Sequence, residues 1–490
     1  MILIFDIELD SSIIDIEAVN LLPEELCLKN CIMPFKTEGS RILIAATEKP
    51  NQNILDEIKF LTGREADFYK ADKEQVISAI SSCFSRSNTE SALNSLKHEY
   101  NFRSEGEYKE SESLMDSPVI RLTSSIIVRA VCSRASDIHL EPFKDHVKVR
   151  YRVDGMLREY INVPKKIYPL VCTRIKVMAG MNITEKRIPQ DGKMNFTYND
   201  SSYDFRISTL PVVYGEKIVI RILYSSREKI ELNDLGFDIE GENFIRGILG
   251  NSHGIILVTG PTGSGKSTTL YSMINTLDKT RKNIVTIEDP VEFSLSGVNQ
   301  VNVNNKTGLT FAEGLRSILR QDPDVIMIGE IRDEETAKIA VRAALTGHLV
   351  ISTLHTNDSA SSVLRLIDMG VPPYLVCDAM IGTIAQRLVR KICPYCKEEI
   401  KSDFYELKKS YRGAGCLKCS RTGYIGRTVI YEFSKMDEAR KRIIQSSGDV
   451  QELRRYNIKS GMKTIQENCR ELVKTGITTL EEYNRLTLCV

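Results

Sequence analysis

A glycine-rich segment between an apolar strand and a helix constrains the fold of this chain more than any other feature. The run Gly260-Pro-Thr-Gly-Ser-Gly-Lys266-Ser267 fits the pattern G-x-x-x-x-G-K-[ST]. The apolar segment Ile255–Thr259 predicts the preceding strand, and the segment from Thr268 to Asn275 predicts the following helix. Glycines in this setting let backbone N–H groups surround phosphates at a helix N-terminus. The chain is therefore predicted to contain a nucleotide-binding α/β domain.

The chemistry of this loop indicates ATP and Mg²⁺ as ligands. The Lys266 ammonium can reach the β and γ phosphates, and the Ser267 hydroxyl can ligate Mg²⁺. The predicted nucleotide-binding residues are Gly260, Pro261, Thr262, Gly263, Ser264, Gly265, Lys266, Ser267 and Thr268.

Two further apolar strands each end in an acidic residue. The strand Ile284–Glu288 ends in Glu288, and the apolar run after Asp324 ends in Glu330. Carboxyl ends of neighbouring parallel strands converge, so both acids are expected to face the γ-phosphate and its metal. There they could position water or accept its proton. Most P-loop proteins carry an aspartate where this chain has Gly329, which leaves open how the two acids divide these roles.

A further apolar strand, Leu349–Leu354, lies between His348 and His355. Polar residues around it predict a loop at the active edge of the sheet, where these histidines could sense the γ-phosphate. A structural role near a strand end is the alternative for each. His355 is retained as a candidate catalytic residue.

Four cysteines form two closely spaced pairs. Cys393-Pro-Tyr-Cys396 is separated by 19 residues from Cys416-Leu-Lys-Cys419, which matches C-x₂-C-x₁₅₋₂₀-C-x₂-C. Four thiolates close a tetrahedral shell, so the pattern indicates a structural Zn²⁺ rather than a catalytic one. A redox role is the alternative.

Charge and hydropathy exclude several classes of protein. Lys plus Arg number 66 and Asp plus Glu 65, for a net charge of +1, which argues against a strongly basic polyanion binder. No run approaches the roughly 18 to 20 apolar residues of a membrane span, and the acidic N-terminus lacks the basic start of a signal peptide. The chain is expected to be cytoplasmic.

Changes in composition divide the chain into domains. Apolar residues nearly vanish between Ser85 and Ser117, which is typical of a solvated linker. Beyond it, alternating strands give way near Asn251 to short apolar strands separated by helices, which predicts a buried parallel sheet. The predicted boundaries are 1–84 (N-terminal α/β domain), 85–116 (flexible linker), 117–235 (second, α+β domain), 236–390 (ATPase core), 391–425 (tetracysteine lobe) and 426–490 (C-terminal helical subdomain).

The motifs together resemble those of one protein family. The phosphate loop, the acidic box Ile287-Glu-Asp-Pro-Val-Glu, the run Asp322-Pro-Asp-Val-Ile-Met-Ile-Gly-Glu-Ile-Arg-Asp and the run Thr346-Gly-His-Leu-Val-Ile-Ser-Thr-Leu-His-Thr-Asn look like its four boxes. Three upstream runs match its second N-terminal domain: Ala135-Ser-Asp-Ile-His-Leu-Glu-Pro, Arg187-Ile-Pro-Gln-Asp-Gly and Ser208-Thr-Leu-Pro. The chain resembles the secretion ATPases of the type II secretion and type IV pilus assembly family.

The resemblance implies an architecture and a set of roles. It implies a RecA-like P-loop ATPase core preceded by a PAS-like α+β domain, a homohexameric ring, and nucleotide bound between these two domains. Arg206 and Arg221 match the arginines that reach the phosphates, Glu288 matches the general base, and Glu330 matches the Walker B acid. His139 is expected to be structural.

The resemblance also implies partners. It suggests docking onto an inner-membrane platform protein or its cytoplasmic anchor, and therefore peripheral association with the inner membrane. The N-terminal segment lacks the Arg-x-Gly and leucine-rich repeat that cyclic-di-GMP-binding relatives use, so that ligand is not predicted.

The sequence therefore predicts a cytoplasmic hexameric ATPase that powers assembly of a type IV pilus or a type II secretion pseudopilus. It does not separate these two systems. The alternatives are a nucleotide-binding regulator with little turnover and a nucleic-acid translocase. The near-zero net charge argues against the translocase, and no nucleic-acid partner is expected.

Overall fold

The computed structural model of this chain divides into two compact units. The described residues are 13–48, 50–80, 118–199, 201–224, 231–401, 409–446 and 448–487, with isolated positions 7, 9, 83, 84, 89, 91, 93 and 96. The first unit comprises 1–224, 393–397 and 413–424, and the second comprises 225–392, 398–412 and 425–490.

The first unit begins with the predicted small α/β domain. Its three-stranded sheet has the order β1-β2-β3, with β2 antiparallel to β1 and parallel to β3. Apolar residues of β2 are buried at five successive positions, so this strand is the centre of the domain core. The elements are α1 (Ile16–Val19), α2 (Glu24–Asn30), β1 (Ile32–Glu38), β2 (Arg41–Ala46), α3 (Gln52–Thr62) and β3 (Glu65–Lys70), followed by a helical segment at 73–80.

The second domain of this unit is α+β, as predicted. Its six strands form an antiparallel sheet in the order β6-β5-β4-β9-β8-β7. Alternate residues of β5 are buried, so one sheet face packs on the core and the other carries charged side chains. The elements are α4 (Pro118–Cys132), β4 (Asp137–Pro142), β5 (His146–Val153), β6 (Met156–Pro164), α5 (Tyr168–Met178), β7 (Gln190–Tyr198), β8 (Ser201–Val212) and β9 (Gly215–Tyr224).

The predicted flexible linker, 85–116, lies outside the described residues except at a few positions. Of these, Leu93 and Leu96 are buried in the core of the α+β domain. The Thr89 hydroxyl lies 3.0 Å from the hydroxyl of Tyr160 on β6. At these positions the segment is packed against the domain, because its sparse leucines supply apolar surface that the composition as a whole conceals.

The second unit contains the predicted parallel sheet. Its seven-stranded sheet has the order β12-β11-β13-β14-β10-β15-β18, and every neighbouring pair among the first six strands is parallel. Every residue of β10, β11, β13 and β14 is buried, as expected for strands covered by helices on both faces. The strands of this sheet are β10 (Gly254–Thr259), β11 (Ile284–Glu288), β12 (Asn299–Asn302), β13 (Val325–Ile328), β14 (Leu349–Leu354), β15 (Met380–Ile392) and β18 (Tyr424–Lys435). A separate two-stranded sheet consists of β16 (Lys397–Lys401) and β17 (Lys409–Gly413).

Helices fill the rest of the second unit. The C-terminal segment is helical as predicted, but its first residues form β18, an edge strand of the large sheet. The run Thr428-Val-Ile-Tyr is rich in β-branched and aromatic residues, which favours a strand. The helices are α6 (Ile239–Leu249), α7 (Lys266–Thr276), α8 (Phe311–Ile318), α9 (Glu334–Leu345), α10 (Ser359–Asp368), α11 (Pro373–Ala379), α12 (Glu438–Ser446), α13 (Val450–Lys459), α14 (Ile465–Lys474) and α15 (Leu480–Thr487).

Candidate active site

The predicted phosphate loop connects the carboxyl end of β10 to the start of α7. Gly260 has φ +146°, and a Cβ at this position would lie 2.3 Å from the carbonyl oxygen of Gln386. Gly265 precedes the helix with φ +89°, a left-handed conformation that favours glycine. The loop therefore has the strand, turn and helix context that phosphate binding requires, and both glycines are needed for its shape.

Lys266 is the cation of this loop. Its side chain is buried, and its Nζ donates to the carbonyl oxygens of Gly260 at 2.8 Å and Pro261 at 3.0 Å. Burial lowers the pKa of Lys266, an effect that the nearby charge of Glu330 opposes. The hydroxyl-bearing Ser267 is exposed at the helix start, where it can reach a metal. The ammonium is thus held at the turn that would enclose the phosphates.

Gln386 is a residue of this site that the sequence did not predict. It lies on β15 and is buried. Its Nε2 donates to the carbonyl oxygen of Ser264 at 2.9 Å, and its Oε1 accepts from the hydroxyl of Thr269 at 2.9 Å. The side chain therefore joins the loop to the helix that follows. The sequence gives only a weak signal for it, because the same strand also carries Arg387 and Arg390.

Glu288 ends β11 and is buried in a network of hydrogen-bond donors. The Tyr271 hydroxyl donates to its Oε2. Thr286 Oγ1 donates to its Oε1 at 2.6 Å, and Gln300 Nε2 donates to the same oxygen at 3.1 Å. The carboxylate is therefore held in one orientation at the carboxyl edge of the sheet. None of the three donors was predicted from the sequence.

Glu330 follows β13 and contacts an arginine and a histidine. Its Oε1 contacts Arg332 Nη2, and its Oε2 lies 3.4 Å from His355 Nε2. The hydrogen bond to Glu330 raises the pKa of Arg332 above its ordinary value. The structure therefore brings together Glu330 and His355, as predicted, and adds Arg332.

His348 does not share this location. It precedes β14, whereas the phosphate loop and His355 follow the carboxyl ends of parallel strands. Its Nδ1 lies 3.0 Å from the carbonyl oxygen of Ala343. The suggestion that His348 senses the γ-phosphate is therefore wrong, because one strand length separates the two ends of β14.

The predicted arginines belong to the first unit. Arg206 on β8 and Arg221 on β9 are register partners in the antiparallel sheet. Arg221 Nε donates to Asp137 Oδ1 at 3.1 Å, and its side chain is 61% exposed. Asp137 therefore orients Arg221, a role that the sequence alone did not indicate. The action of these arginines on a nucleotide stays a prediction.

The four predicted cysteines come together. Their Sγ atoms all lie within 4.8 Å of one another, with pairs at 3.7 Å (Cys393 and Cys416) and 3.9 Å (Cys396 and Cys419). Tetrahedral zinc with bonds of about 2.3 Å requires sulfur separations of about 3.8 Å. Backbone N–H groups of Cys416 and Gly423 donate to the Cys419 sulfur at 3.1 and 3.3 Å, as suits a thiolate. The donor set fits a structural zinc ion.

The tetracysteine lobe contacts the N-terminal domain within the first unit. Lys418 Nζ lies 2.7 Å from Glu74 Oε2, and the Tyr395 hydroxyl donates to the same oxygen at 3.3 Å. Leu417 packs against the core of the N-terminal domain. The Lys418 ammonium also lies 3.7 Å from the centroid of the Tyr395 ring. The geometry of the lobe is therefore linked to the helical segment 73–80.

Among the described helices, none combines the length and the apolar character that crossing a bilayer demands.

Comparisons with known proteins agree with this geometry. The family model described as type II/IV secretion system protein matches residues 112–485, and the MshEN domain model matches residues 4–90. The type IV pilus assembly ATPase PilB of Thermus thermophilus is 41% identical over 482 residues, which cover 96% of this chain and 54% of that protein. This chain thus spans about half the length of that relative.

Two further matches cover most of this chain and most of the matched protein. The type II secretion system ATPase E of Vibrio cholerae is 45% identical over 386 residues, which cover 77% of this chain and 76% of that protein. The X-ray structure of the Legionella pneumophila ATPase DotB superposes with a TM-score of 0.59 at 22% identity, over 78% of this chain and 98% of that one. The DotB likeness shows a shared fold.

Proposed function

The chain belongs to the type II/IV secretion system protein family, and from this we propose that it hydrolyses ATP to power assembly of a type IV pilus or a type II secretion pseudopilus. The observation that carries the proposal is the convergence of Lys266, Glu288 and Glu330 at the carboxyl edge of one parallel sheet. The phosphate loop, with its backbone N–H groups and Lys266, would suffice to bind nucleotide. Two acids beside it provide for hydrolysis.

The residues divide the reaction as follows. Lys266 would neutralise the β and γ phosphates, and Ser267 with Glu330 would hold Mg²⁺, directly or through water. Glu288 would take a proton from the attacking water while the water oxygen bonds to the γ-phosphorus. The bond from the γ-phosphorus to the bridging oxygen breaks at the same time, so that ADP and phosphate leave. His355, which contacts Glu330, would respond to the presence of the γ-phosphate.

The relatives suggest the cellular setting. The PilB and secretion ATPase E proteins are named for pilus assembly and type II secretion. We propose that this chain acts in the same setting as a homohexamer at the cytoplasmic face of the inner membrane. Its partners would be an inner-membrane platform protein or the cytoplasmic anchor of that protein, and the N-terminal domain is the proposed docking element.

We propose that Arg206 and Arg221 supply positive charge to the nucleotide phosphates in the assembled ring. Replacing Arg221 with Ala should lower kcat about 10³-fold or more, the contribution of an arginine finger. The matched control is Arg121→Ala, which removes an exposed arginine from α4 of the same domain. Steady-state phosphate release by both variants, with ring formation checked by sedimentation, measures the effect. Equal rates for the two variants would contradict the assignment.

We propose that Cys393, Cys396, Cys416 and Cys419 bind structural Zn²⁺. A double replacement, Cys396→Ser with Cys419→Ser, should remove the zinc from the purified protein. The lobe would then lose a contribution of about 10 kcal/mol, the scale for structural zinc in small domains. Hydrogen exchange should therefore rise at 413–424 and at 73–80, where Glu74 contacts Lys418.

The control for the zinc prediction is Cys132→Ser, which alters a half-buried thiol outside the cluster. Zinc content is measured by atomic absorption and exchange by mass spectrometry. Retention of zinc by the double variant would overturn the site, and unchanged exchange at 73–80 would show that the lobe does not support that segment.

Phosphate release from Mg²⁺–ATP by the purified chain tests the proposed function, with and without DNA at low salt. Turnover that DNA leaves unchanged supports the secretion ATPase. Binding to DNA with a steep dependence on salt would favour a translocase instead. Nucleotide binding without turnover, even with the membrane platform protein added, would favour a regulator. The buried Glu288, held by three hydrogen-bond donors, argues against the regulator, because nucleotide binding alone does not require it.

A further inference from the structure

The hydrogen-bond network around Glu288 assigns a role to two residues outside the predicted site. We propose that Tyr271 and Thr286 are positioning residues that fix the Glu288 carboxylate for proton transfer. This inference rests on the proposed ATP hydrolysis. It concerns how the Glu288 carboxylate is oriented, whereas the proposed function requires only that this carboxylate is present.

The Glu288 carboxylate has few hydrogen-bond acceptor positions left unfilled. An ionised carboxylate offers about four acceptor positions on its two oxygens. Thr286 and Gln300 donate to Oε1, and among the described residues only Tyr271 donates to Oε2. One position on Oε2 is therefore left for a water molecule. Because the other three are filled, rotation of the carboxylate away from that water would break hydrogen bonds to buried donors.

Tyr271 connects the Glu288 carboxylate to the helix that follows the phosphate loop. It lies on α7, the helix that begins at Lys266, and its ring packs on Phe293 with centroids 4.4 Å apart. Its oxygen also accepts from the backbone N–H of Glu292 at 3.2 Å. Burial, together with the neighbouring Glu288, raises the pKa of Tyr271 above its ordinary range, so the hydroxyl keeps its proton. Tyr271 thus ties the carboxylate to the helix whose first residues bind the phosphates.

Thr286 lies beside Glu288 on the same strand. It lies two residues before Glu288 on β11, so both side chains lie on the same face of the strand. Thr286 is fully buried, and its hydroxyl donates to Oε1 at 2.6 Å. In a strand covered on both faces, an apolar residue of the same shape would pack equally well. The hydroxyl is therefore explained by the carboxylate that it contacts.

The test removes each hydroxyl while keeping the shape of the side chain. Tyr271→Phe keeps the ring on Phe293, and Thr286→Val keeps the branched Cβ. Each should lower kcat for ATP hydrolysis about 10- to 100-fold, the cost of misplacing a reacting group by up to about 1 Å. The KM for ATP and the Kd of a fluorescent ATP analogue should stay within about twofold, since no phosphate contact is lost.

The matched control is Tyr431→Phe. Tyr431 is buried and its hydroxyl also donates to a carboxylate, that of Asp238, which caps α6 and lies outside the proposed site. Thermal melting should show similar losses of stability for Tyr271→Phe and Tyr431→Phe, but only the first should lose kcat. In a Glu288→Gln background, Tyr271→Phe should change the residual rate by less than about twofold, because both changes act through one group.

Three results would contradict the inference in different ways. Normal kcat in both Tyr271→Phe and Thr286→Val, beside an active wild-type chain, would overturn the positioning role alone. Absence of ATP hydrolysis by the wild-type chain would overturn the proposed function, and this inference with it. A parallel rise in KM and fall in kcat would assign the residues to the shape of the phosphate loop and also contradict the proposal.

Discussion

Replacing Lys266 with Ala is expected to abolish ATP hydrolysis, with phosphate release falling at least about 10³-fold. The Lys266 ammonium is held within the turn by the carbonyl oxygens of Gly260 and Pro261 at 2.8 and 3.0 Å. There it would counter the charge that develops on the transferred phosphate. A point charge at a water-excluded site stabilises the transition state by several kcal/mol, and about 1.4 kcal/mol corresponds to a tenfold rate change. Steady-state phosphate release measures the loss.

The control for this experiment is Lys279→Ala. Lys279 follows the same helix, α7, and its Nζ donates to Asn275 Oδ1 at 2.7 Å, at the end of the helix remote from the phosphate loop. Its replacement should leave phosphate release within about twofold of wild type, as expected for a surface lysine. Hydrolysis above a tenth of the wild-type rate in Lys266→Ala would show that another residue supplies the charge.

Replacing Glu288 with Gln is expected to lower kcat about 10²- to 10⁴-fold while ATP binding is kept, the usual contribution of a general base. Glutamine has the same shape, and its one side-chain oxygen can still accept a hydrogen bond from Tyr271 or from Thr286, which contact different oxygens of the carboxylate. It cannot take a proton from water. Single-turnover hydrolysis and equilibrium binding of a fluorescent ATP analogue separate the two effects. The protein should therefore accumulate in the ATP-bound form.

Two companion variants sharpen the result for Glu288. Glu330→Gln should weaken Mg²⁺-dependent nucleotide binding, because Glu330 is proposed to hold the metal. Glu313→Gln, which changes an exposed acid on α8, serves as the control and should be neutral. If Glu330→Gln lost more kcat than Glu288→Gln while its ATP affinity stayed unchanged, the roles assigned to the two acids would have to be exchanged.

The chemistry that is local in sequence could be predicted. Glu288 ends one largely apolar run and His355 follows another, and the strands Ile284–Glu288 and Leu349–Leu354 have the bounds that those runs predict. The phosphate loop contains its whole context within about twenty residues. The tetracysteine centre was predictable because zinc ligands occur in close pairs.

Several of the residues that the sequence missed act over long separations. Gln386 reaches Ser264 across 122 positions, and Lys418 reaches Glu74 across 344. In the sequence, Tyr271 occupies the position of a core residue on an amphipathic helix. Only the fold shows that its hydroxyl donates a hydrogen bond to Glu288. Such pairs depend on strand order, which a single sequence does not contain. The edge strand β18 contains a run that favours a strand locally, but its pairing with β15 in the large sheet depends on strand order in the same way.

The most direct test of the central claim is made in the native host, with Lys266→Ala introduced on the chromosome so that the protein is still present. Surface fibres are scored by electron microscopy and the secreted proteome by mass spectrometry. Loss of fibres with normal secretion identifies a pilus assembly motor, and loss of particular secreted proteins with fibres intact identifies a type II secretion motor. Either result is what the account predicts. Normal fibres together with normal secretion would contradict it.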